Sequence, residues 1–288
     1  MLCKKIQALG TNILIKINTQ SQKAHSALET AFNEAYRIEK EYSRFIENNE
    51  LSNLNNKLGK WQKVSKELFS LLNFGKKFEK ESEGAFSLSV KELLENWGYS
   101  KNTNIVKKKK NEISRIFELR PETQEVYISV PLEIGAIGKG YALDCMKKHL
   151  DEYEDVFINA GGDIYARGKN REKPWTCYFE HPRNDLKIIG EIDINNEFLA
   201  ASSPLKRSWD NKHHIVDAKV QKPANKMLAN YVLAKSGILA DGYSTMLFTL
   251  GYDDAKKIVR KNNIAAMLIG AYGDIFISSE FKGKLYGK

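Results

Sequence analysis

One segment of the sequence, LEIGAIGKGYALD at 132–144, combines small residues with charged ones near the predicted start of a helix. A helix that begins near Gly138 would direct free N–H groups and the positive end of its dipole at an anion, and Lys139 would add a full charge. Phosphate binding is one interpretation of the segment, and a plain glycine-rich turn is the other. The spacing matches neither a P-loop nor the G-x-G-x-x-G of dinucleotide-binding folds.

Three oxygen-bearing side chains are regularly spaced in LADGYSTMLF at 239–248. Asp241, Ser244 and Thr245 lie at i, i+3 and i+4, which places them on one face of a helix. Carboxylate and hydroxyl oxygens suit Mg²⁺, which binds hard oxygen ligands together with substrate phosphate. The alternative is that Asp241 is the N-cap of this helix and the two hydroxyls are ordinary helix residues.

Two further segments place polar side chains beside a predicted strand. Two histidines are adjacent in KHHIVDA at 212–218, and neighbouring side chains of a strand point to opposite faces. At most one histidine can therefore face a given site. In INAGGDIYARG at 158–168, Asp163 follows a Gly-Gly turn, which fits either the close approach of a ligand or an ordinary hairpin.

Periodic patterns predict the elements that position these residues. Apolar residues from Ala24 to Tyr42 recur every three or four positions, which is typical of one face of a helix. We expect further helices at 66–82, 90–97, 139–150 and 241–250, and strands at 11–18, 125–130, 155–159, 187–194, 197–201, 231–234, 265–270 and 274–279. Helices cluster early and strands late, so the sequence predicts an α+β fold with mixed or antiparallel sheets and flanking helices. We expect one domain over 1–288, helix-rich to about 125 and strand-rich from 126.

Composition and charge narrow the class of protein. The 288 residues are 42% hydrophobic and 28% charged, which is typical of a soluble globular protein, and the net charge of +9 comes from lysines spread along the chain. The KKKK run at 107–110 lacks interleaved aromatic residues, which favours a solvated loop over a nucleic-acid partner. No apolar run is long enough to span a membrane. Three cysteines without a CxxC pair indicate neither a disulfide framework nor a zinc site and fit a reducing compartment.

Seven segments, in order along nearly the whole chain, resemble the FAD:protein FMN transferase family, also called ApbE. They are ALGTNILIKI, EYSRFIENNELSNLN, GAFSLSVKELLENWGY, LEIGAIGKGYALD, INAGGDIYARG, HHIVDAKVQKPA and LADGYSTMLFTLG. The family patterns they resemble include LDLGGIAKGYAVD, HHIIDPRTGRP and ADALSTALFVLG. Their number and collinear order argue against chance, as do uncommon pairs such as the Trp-Gly of ENWGY.

The resemblance implies an α+β, T-fold-like architecture of two intertwined parts and a Mg²⁺-dependent transferase. Such an enzyme takes FMN from FAD, attaches it through a phosphodiester to a threonine or serine of an acceptor flavoprotein, and releases AMP. Two alternatives stay open: a Mg²⁺-dependent FAD pyrophosphatase that gives FMN and AMP, and a FAD-binding protein with impaired catalysis. The resemblance indicates neither the acceptor nor the oligomeric state.

The resemblance also implies a metal site formed by the 132–144 and 239–248 segments. Mg²⁺ would be bound by the main-chain carbonyl of Ala136 together with Asp241 and Thr245, and Ser244 would lie nearby. Lys139 would take up charge that develops on the pyrophosphate as AMP departs.

The implied FAD site draws on several distant segments. Its contacts would come from Leu9, Ala85, Phe86, Ser87, Glu133, Lys139, His214 and Ile215. Asp163 would shape the pocket. His214 would orient or deprotonate the acceptor hydroxyl, and His213 is expected at the surface.

Some residues depart from the family pattern. Ser87 and Glu133 each replace an aspartate, and the loop at 217–223 lacks the family's first Pro and its Gly. Loss of these turn residues should loosen the turn beside His214. Cys3 lies too near the start to belong to a lipobox, so the sequence predicts a cytoplasmic protein; an exported or periplasmic enzyme whose signal was trimmed is the alternative.

Overall fold

The structure, a computed structural model, describes residues 1–99, 116–210 and 212–287. The loop predicted at 107–110 lies outside the described residues. The helices of the described residues are α1 (Lys23–Tyr42), α2 (Glu50–Asn55), α3 (Lys66–Glu81), α4 (Lys91–Asn96), α5 (Gly138–Lys148), α6 (Gly237–Leu250) and α7 (Tyr252–Asn262). None of these helices is both long enough and apolar enough to cross a bilayer. The cytoplasmic location stays a prediction.

The strands form one large sheet and several small ones. In chain order they are β1 (Leu2–Ala8), β2 (Thr11–Ile17), β3 (Trp61–Lys63), β4 (Phe117–Arg120), β5 (Glu125–Ile128), β6 (Val156–Ala160), β7 (Asp163–Arg167), β8 (Lys169–Asn170), β9 (Lys173–His181), β10 (Asn184–Ile194), β11 (Glu197–Ser202), β12 (Ser208–Trp209), β13 (Lys212–His213), β14 (Val216–Asp217), β15 (Lys222–Pro223), β16 (Met227–Ala234), β17 (Ala265–Gly270), β18 (Ile275–Ile277) and β19 (Lys284–Leu285). The large sheet has the order β1-β2-β6-β7-β11-β16-β17-β18, and its pairs are antiparallel. Two smaller sheets have the orders β19-β10-β9-β8 and β3-β5-β4.

The predicted α+β class with antiparallel sheets is confirmed, and β2 shows how the pattern produces it. Ile13, Ile15 and Ile17 are fully buried, because alternate residues of a strand face the same side and these three face the core. β2 pairs with β1 on one edge and with β6 on the other. The Leu9–Gly10 turn and the Gly161–Gly162 turn consequently lie at the same end of the sheet.

The helices cover one face of the large sheet. α1 buries the predicted stripe that begins at Ala24 and ends at Tyr42, and it packs against α5. α6 packs against α5 and against the sheet strands β11 and β16. The main core cluster contains residues from Ala8 to Leu268, so the early helices and the late strands share it.

Several boundaries and elements differ from the sequence prediction. α6 begins at Gly237, four residues before the predicted start at 241. The prediction overlooked α7, although its apolar residues at 252, 255, 258 and 259 have helical spacing. It also overlooked β9, in which alternate residues are buried. The short α2 has little periodicity and depends instead on a capping box between Asn49 and Ser52.

Candidate functional site

A cavity of about 1460 Å³ opens beside the turn end of the large sheet, the start of α5 and the β9–β10 hairpin. It brings together ten of the residues that the sequence singled out: Leu9, Phe86, Ser87, Glu133, Ala136, Lys139, His214, Ile215, Asp241 and Thr245. Three others, Ala85, Asp163 and Ser244, do not line the cavity but adjoin residues that do. Residues far apart in the chain thus meet in one place.

The contact between α5 and α6 explains one glycine of the 132–144 segment. A Cβ atom on Gly140 would lie 2.1 Å from the carbonyl oxygen of Gly237, and one on Gly237 would lie 2.2 Å from the carbonyl oxygen of Gly140. Only glycine lets the two helix backbones approach this closely. Gly138 has no such constraint, since a Cβ atom there would be 3.7 Å from its nearest neighbour, the Ile134 side chain.

The same two helices cap each other. Asp241 in α6 accepts a hydrogen bond from the N–H of Gly140 at the start of α5 (2.9 Å). In return, Asp144 in α5 accepts the N–H groups of Gly237 and Ile238 at the start of α6 (2.8 and 2.9 Å). The sequence alternative that Asp241 is the N-cap of its own helix is therefore wrong, because it lies one turn inside α6. The Asp241 carboxylate instead lies at the N-terminus of α5, where the helix dipole favours negative charge.

Lys139 joins two carboxylates at the wall of the cavity. Its Nζ lies 2.8 Å from Asp163 Oδ2 and 3.1 Å from Asp241 Oδ1. Burial alone would lower the pKa of Lys139, but the charges of Asp163 and Asp241 raise it well above its ordinary value. Burial and the neighbouring Asp163 raise the pKa of Asp241. With all three groups ionised, the buried cluster holds two negative charges and one positive charge.

Beside this charged cluster lies a pair of uncharged oxygens. The Thr245 hydroxyl donates to the carbonyl oxygen of Ala136 at 3.4 Å, and Thr245 follows Asp241 by one helical turn. Oxygen ligands of octahedral Mg²⁺ lie about 3 Å from each other, given bond lengths of about 2.0–2.1 Å. The donor set and the surplus negative charge therefore fit Mg²⁺. No group of three His, Cys, Asp or Glu residues among those described forms a metal site of its own.

Ser244 does not belong with these oxygens. Its side chain is fully buried, and its hydroxyl lies 2.7 Å from the Ser202 hydroxyl and 2.9 Å from Asn230 Oδ1. Asn230 also donates to the main-chain carbonyl of Ser244. Ser244 and Thr245 do lie in the same helix, as their spacing predicted, but the Ser244 side chain points towards β11 and β16. We therefore leave Ser244 out of the proposed metal ligands.

His214 lies at the cavity, half-buried. Its Nδ1 is 3.4 Å from the carbonyl oxygen of Arg207, and its ring lies against Tyr99 with the centroids 6.3 Å apart. Burial lowers the pKa of His214 to about 3, and the nearby positive charges of Arg207 and Lys139 contribute to the lowering. The ring is therefore neutral at neutral pH.

The expectation that His213 lies at the surface is wrong. Its side chain is buried, its Nδ1 accepts the N–H of Ile215 at 3.3 Å, and its ring meets Phe248 edge-on. Neighbouring side chains do point to opposite faces, as the sequence predicted. The second face, however, is covered by α6, so one histidine faces the cavity and the other faces the core.

Arg44 is a cavity residue that sequence reasoning missed. Its side chain is 4% exposed, and its Nε lies 3.8 Å from Glu133 Oε2. Its guanidinium lies over the rings of Phe45 and Tyr99, 4.4 and 4.8 Å from their centroids, and its Nη2 donates to the carbonyl of Tyr99. Nη1 is buried without a hydrogen-bond partner among the described residues. The sequence feature that could have identified Arg44 is a basic residue next to an aromatic one in EYSRF.

The 217–223 turn is intact despite its departures from the family pattern. Asp217 Oδ1 accepts the N–H groups of Lys219 and Val220, and Ala218 N–H donates to the carbonyl of Ala85 at 2.9 Å. Gln221 stands where the family has Gly and has a φ of 55°. A left-handed conformation costs a non-glycine residue on the order of 1 kcal/mol. The turn is thus formed without the two family residues, at the cost of one left-handed conformation, and the expected loosening stays a prediction.

These residues match a family of known proteins. Residues 9–268 match the ApbE family model. A FAD:protein FMN transferase of Haemophilus influenzae is 27% identical, and the alignment covers 96% of this chain and 89% of that protein. One from Escherichia coli is 25% identical, with 94% of this chain and 81% of that protein covered.

Solved structures show the same fold. The ApbE protein of Thermotoga maritima superposes with a TM-score of 0.86 and 26% identity, and 98% of each chain is covered. The flavin transferase ApbE of Vibrio cholerae has a TM-score of 0.85 at 21% identity, again over 98% of each chain, so it supports the fold alone. The similarity thus extends over nearly the whole chain, including the segments that line the cavity.

Proposed function

Because this chain belongs to the ApbE family, we propose that it is a FAD:protein FMN transferase. It takes FMN from FAD, joins it through a phosphodiester to a threonine or serine of an acceptor flavoprotein, and releases AMP. The observation that carries the proposal is the meeting of Lys139 and Asp241 with the Ala136–Thr245 oxygen pair at one wall of a large cavity. Phosphoryl transfer depends mainly on positioning and on neutralisation of charge, and this group can supply both.

The proposed metal is Mg²⁺, which the Asp241 carboxylate, the Thr245 hydroxyl and the Ala136 carbonyl would hold. When bound, Mg²⁺ supplies positive charge that stabilises the pyrophosphate oxygens as the bond to AMP breaks. The surplus negative charge of the Lys139–Asp163–Asp241 cluster supports the uptake of a cation at this point.

Lys139 binds the phosphates as a permanent cation in this proposal. Its pKa is raised by two carboxylates, so it keeps its proton at neutral pH. An ammonium group has three donors, and Asp163 and Asp241 can occupy two of them. The remaining donor can bind a pyrophosphate oxygen and neutralise part of its charge.

His214 orients the acceptor hydroxyl. If Nδ1 donates to the Arg207 carbonyl, then Nε2 has a free lone pair that can accept the hydrogen of that hydroxyl. The hydroxyl oxygen then forms a bond to the phosphorus of FMN while the bond from that phosphorus to the bridging oxygen breaks. AMP leaves with the bridging oxygen as part of its phosphate, and the hydroxyl proton is released to water. Since the pKa of His214 is about 3, the ring is a weak base, and orientation is its main contribution.

The test is an adduct assay with intact-protein mass spectrometry. The protein is incubated with FAD, Mg²⁺ and acceptor flavoproteins that each contain a candidate threonine or serine. We expect a mass increase equal to bound FMN on the acceptor and one AMP released for each adduct. The same reaction with EDTA in place of Mg²⁺ is the control and should yield neither product.

Two other outcomes would replace the proposal. Release of FMN and AMP at a rate that no acceptor changes would identify a FAD pyrophosphatase. Tight FAD binding without AMP release at any Mg²⁺ concentration would identify a FAD-binding protein without catalysis. The intact 217–223 turn beside His214 gives no structural reason to prefer the second outcome.

A further inference from the structure

The β9–β10 hairpin presents three large apolar side chains at the mouth of the cavity. Tyr178, Leu186 and Ile188 are 56%, 91% and 50% exposed, and all three line the cavity. We call these three side chains the hairpin face. Large exposed apolar side chains beside a polar site are typical of a surface that binds another molecule.

Contacts connect the hairpin face to His214. Ile188 pairs with Glu180 across the hairpin, and the Glu180 carboxylate forms an ion pair with Lys206 at 2.6 Å. The next residue, Arg207, places its carbonyl oxygen 3.4 Å from His214 Nδ1. The hairpin face and His214 thus line the same cavity and are connected through residues 206 and 207.

The hairpin is held in place by a core of its own. Trp175, Cys177 and Phe179 of β9 are buried on the side that packs against the large sheet. Phe179 packs on Tyr231 of β16 with the ring centroids 4.6 Å apart, and the Tyr231 hydroxyl donates to the carbonyl of Glu180. The hairpin face is thus preformed, which lowers the entropic cost of binding a partner.

The charge around the hairpin face indicates what kind of partner fits. The segments 178–188 and 203–207 contain four basic residues and two acidic ones. Of these, Lys206, Arg207 and Glu180 line the cavity, and Glu180 pairs with Lys206, so one positive charge is in surplus there. A partner segment with acidic side chains would complement this surplus of positive charge.

We propose that the hairpin face binds the acceptor polypeptide through a segment in which acidic and apolar residues flank the modified threonine or serine. The inference rests on the proposed transferase function, because that reaction requires a second polypeptide to reach His214. Apolar side chains of the acceptor would pack on Leu186 and Ile188, and its carboxylates would lie near Lys206 and Arg207.

The test uses three rhodamine-labelled peptides that each contain a single threonine. One has aspartate and leucine around the threonine, one has lysine and leucine, and one has aspartate and serine. Their affinities for FAD-loaded protein are measured by fluorescence anisotropy without Mg²⁺, so that no transfer consumes the peptide. We expect the aspartate–leucine peptide to bind about tenfold more tightly than either of the others.

Variants of exposed residues locate the binding surface. Leu186→Ser/Ile188→Ser should weaken binding of the aspartate–leucine peptide about tenfold, and Lys206→Glu should weaken it while favouring the lysine–leucine peptide. Leu58→Ser is the matched control, because Leu58 is 40% exposed but does not line the cavity. Leu58→Ser should bind FAD and the peptide as the wild type does. All variants are compared at saturating FAD, so that a change in peptide binding does not reflect a change in FAD occupancy.

The outcomes separate this inference from the proposed function. Equal binding of the three peptides, no binding of any of them, or unchanged binding by Leu186→Ser/Ile188→Ser overturns the role of the hairpin face. If the double variant binds the peptide more weakly but the wild-type protein with Mg²⁺ transfers no FMN to it, the hairpin face is supported and the transferase proposal fails. If the double variant transfers FMN to the peptide as fast as the wild type, the transferase proposal is supported and the hairpin face is wrong.

Discussion

The residue that best shows the chemistry of the site is Lys139. Its ammonium group lies between the carboxylates of Asp163 and Asp241, which come from a β-hairpin and from α6. A lysine so far from solvent keeps its positive charge when carboxylates lie beside it, and the ammonium group of Lys139 has two of them. The two carboxylates and one ammonium group carry a surplus negative charge when all are ionised. A cation and an anionic substrate can therefore bind beside them together, because each balances the charge of the other.

The first prediction concerns Asp241→Asn. Asparagine keeps an oxygen that can accept the N–H of Gly140, but it loses the charge that would bind Mg²⁺. We expect Mg²⁺-dependent AMP release to fall by about 100-fold or more, with a much smaller change in the affinity for FAD. AMP release is measured by chromatography, and FAD affinity by the quenching of flavin fluorescence.

Asp144→Asn is the matched control, because Asp144 also accepts helix N–H groups but does not line the cavity. It should lower the free energy of unfolding by about 1 kcal/mol and leave the Mg²⁺ dependence as it is. Full Mg²⁺-dependent activity in Asp241→Asn would remove this residue from the metal site.

The second prediction separates the two histidines. His214→Ala should slow FMN transfer about 100-fold and leave FAD affinity nearly unchanged, because the ring is proposed to orient the acceptor hydroxyl. His213→Ala removes a buried ring that packs on Phe248 and leaves the Ile215 N–H without its partner. It should lower the free energy of unfolding by about 1–3 kcal/mol, measured by denaturant titration. The reverse pattern would show that the structure assigns the wrong ring to the cavity.

At the scale of elements, the site is created by the close crossing of α5 and α6. Each helix provides an aspartate that caps the other, and glycines at the contact let the backbones touch. This crossing brings the Ala136 carbonyl to the Thr245 hydroxyl, although the two residues are 109 positions apart in the chain. The glycine-rich segment at 132–144 therefore serves the packing of two helices as well as the proposed phosphate site.

The third prediction follows from that contact. Gly140→Ala would place a Cβ atom 2.1 Å from the Gly237 carbonyl oxygen, so α5 and α6 must move apart. We expect a loss of at least about 2 kcal/mol in the free energy of unfolding and loss of Mg²⁺-dependent AMP release. Both are measured on the purified variant, by thermal denaturation and by chromatography.

Gly138→Ala is the control from the same segment, because its Cβ atom would meet nothing closer than 3.7 Å. It should fold as well as the wild type, since alanine favours a helix over glycine by about 1 kcal/mol. Similar losses in both variants would mean that the segment tolerates no side chain for a reason other than the helix contact.

At the scale of the whole molecule, the cavity is built from both halves of the chain. β1 and β2 belong to the same sheet as strands from the second half, and the main core cluster contains residues from both halves. Leu9, Arg44 and Glu133 consequently line one cavity with Thr245. A ligand in this cavity contacts parts of the fold that only the complete structure brings together.

The fourth prediction is that FAD stabilises the molecule as a unit. At a FAD concentration about 100 times its Kd, binding should add about 2.7 kcal/mol to the free energy of unfolding. One unfolding transition, shifted upward by about 5 °C or more, is expected by differential scanning calorimetry. Arg44→Gln should reduce the shift, since it removes a buried cation from the cavity. Two transitions, only one of which responds to FAD, would contradict this prediction.

The sequence by itself determined the regular elements, the fold class and the family. Helix α1 and strand β2 were predicted because their apolar residues recur at periods of about 3.6 and 2, and such periods are local properties of the chain. The seven collinear motifs predicted the family, and the match over residues 9–268 confirms it. The charges and donor atoms of Lys139, Asp241 and Thr245 were likewise fixed by residue type.

Only the tertiary structure decided how these residues are used. It turned Ser244 towards the sheet, buried His213 under α6, placed Asp144 as the cap of α6 and brought Arg44 to Glu133. None of these outcomes follows from spacing along the chain, because each depends on which element packs against a given face. The direction of a side chain follows from local geometry, but what it meets there is decided by packing between distant segments.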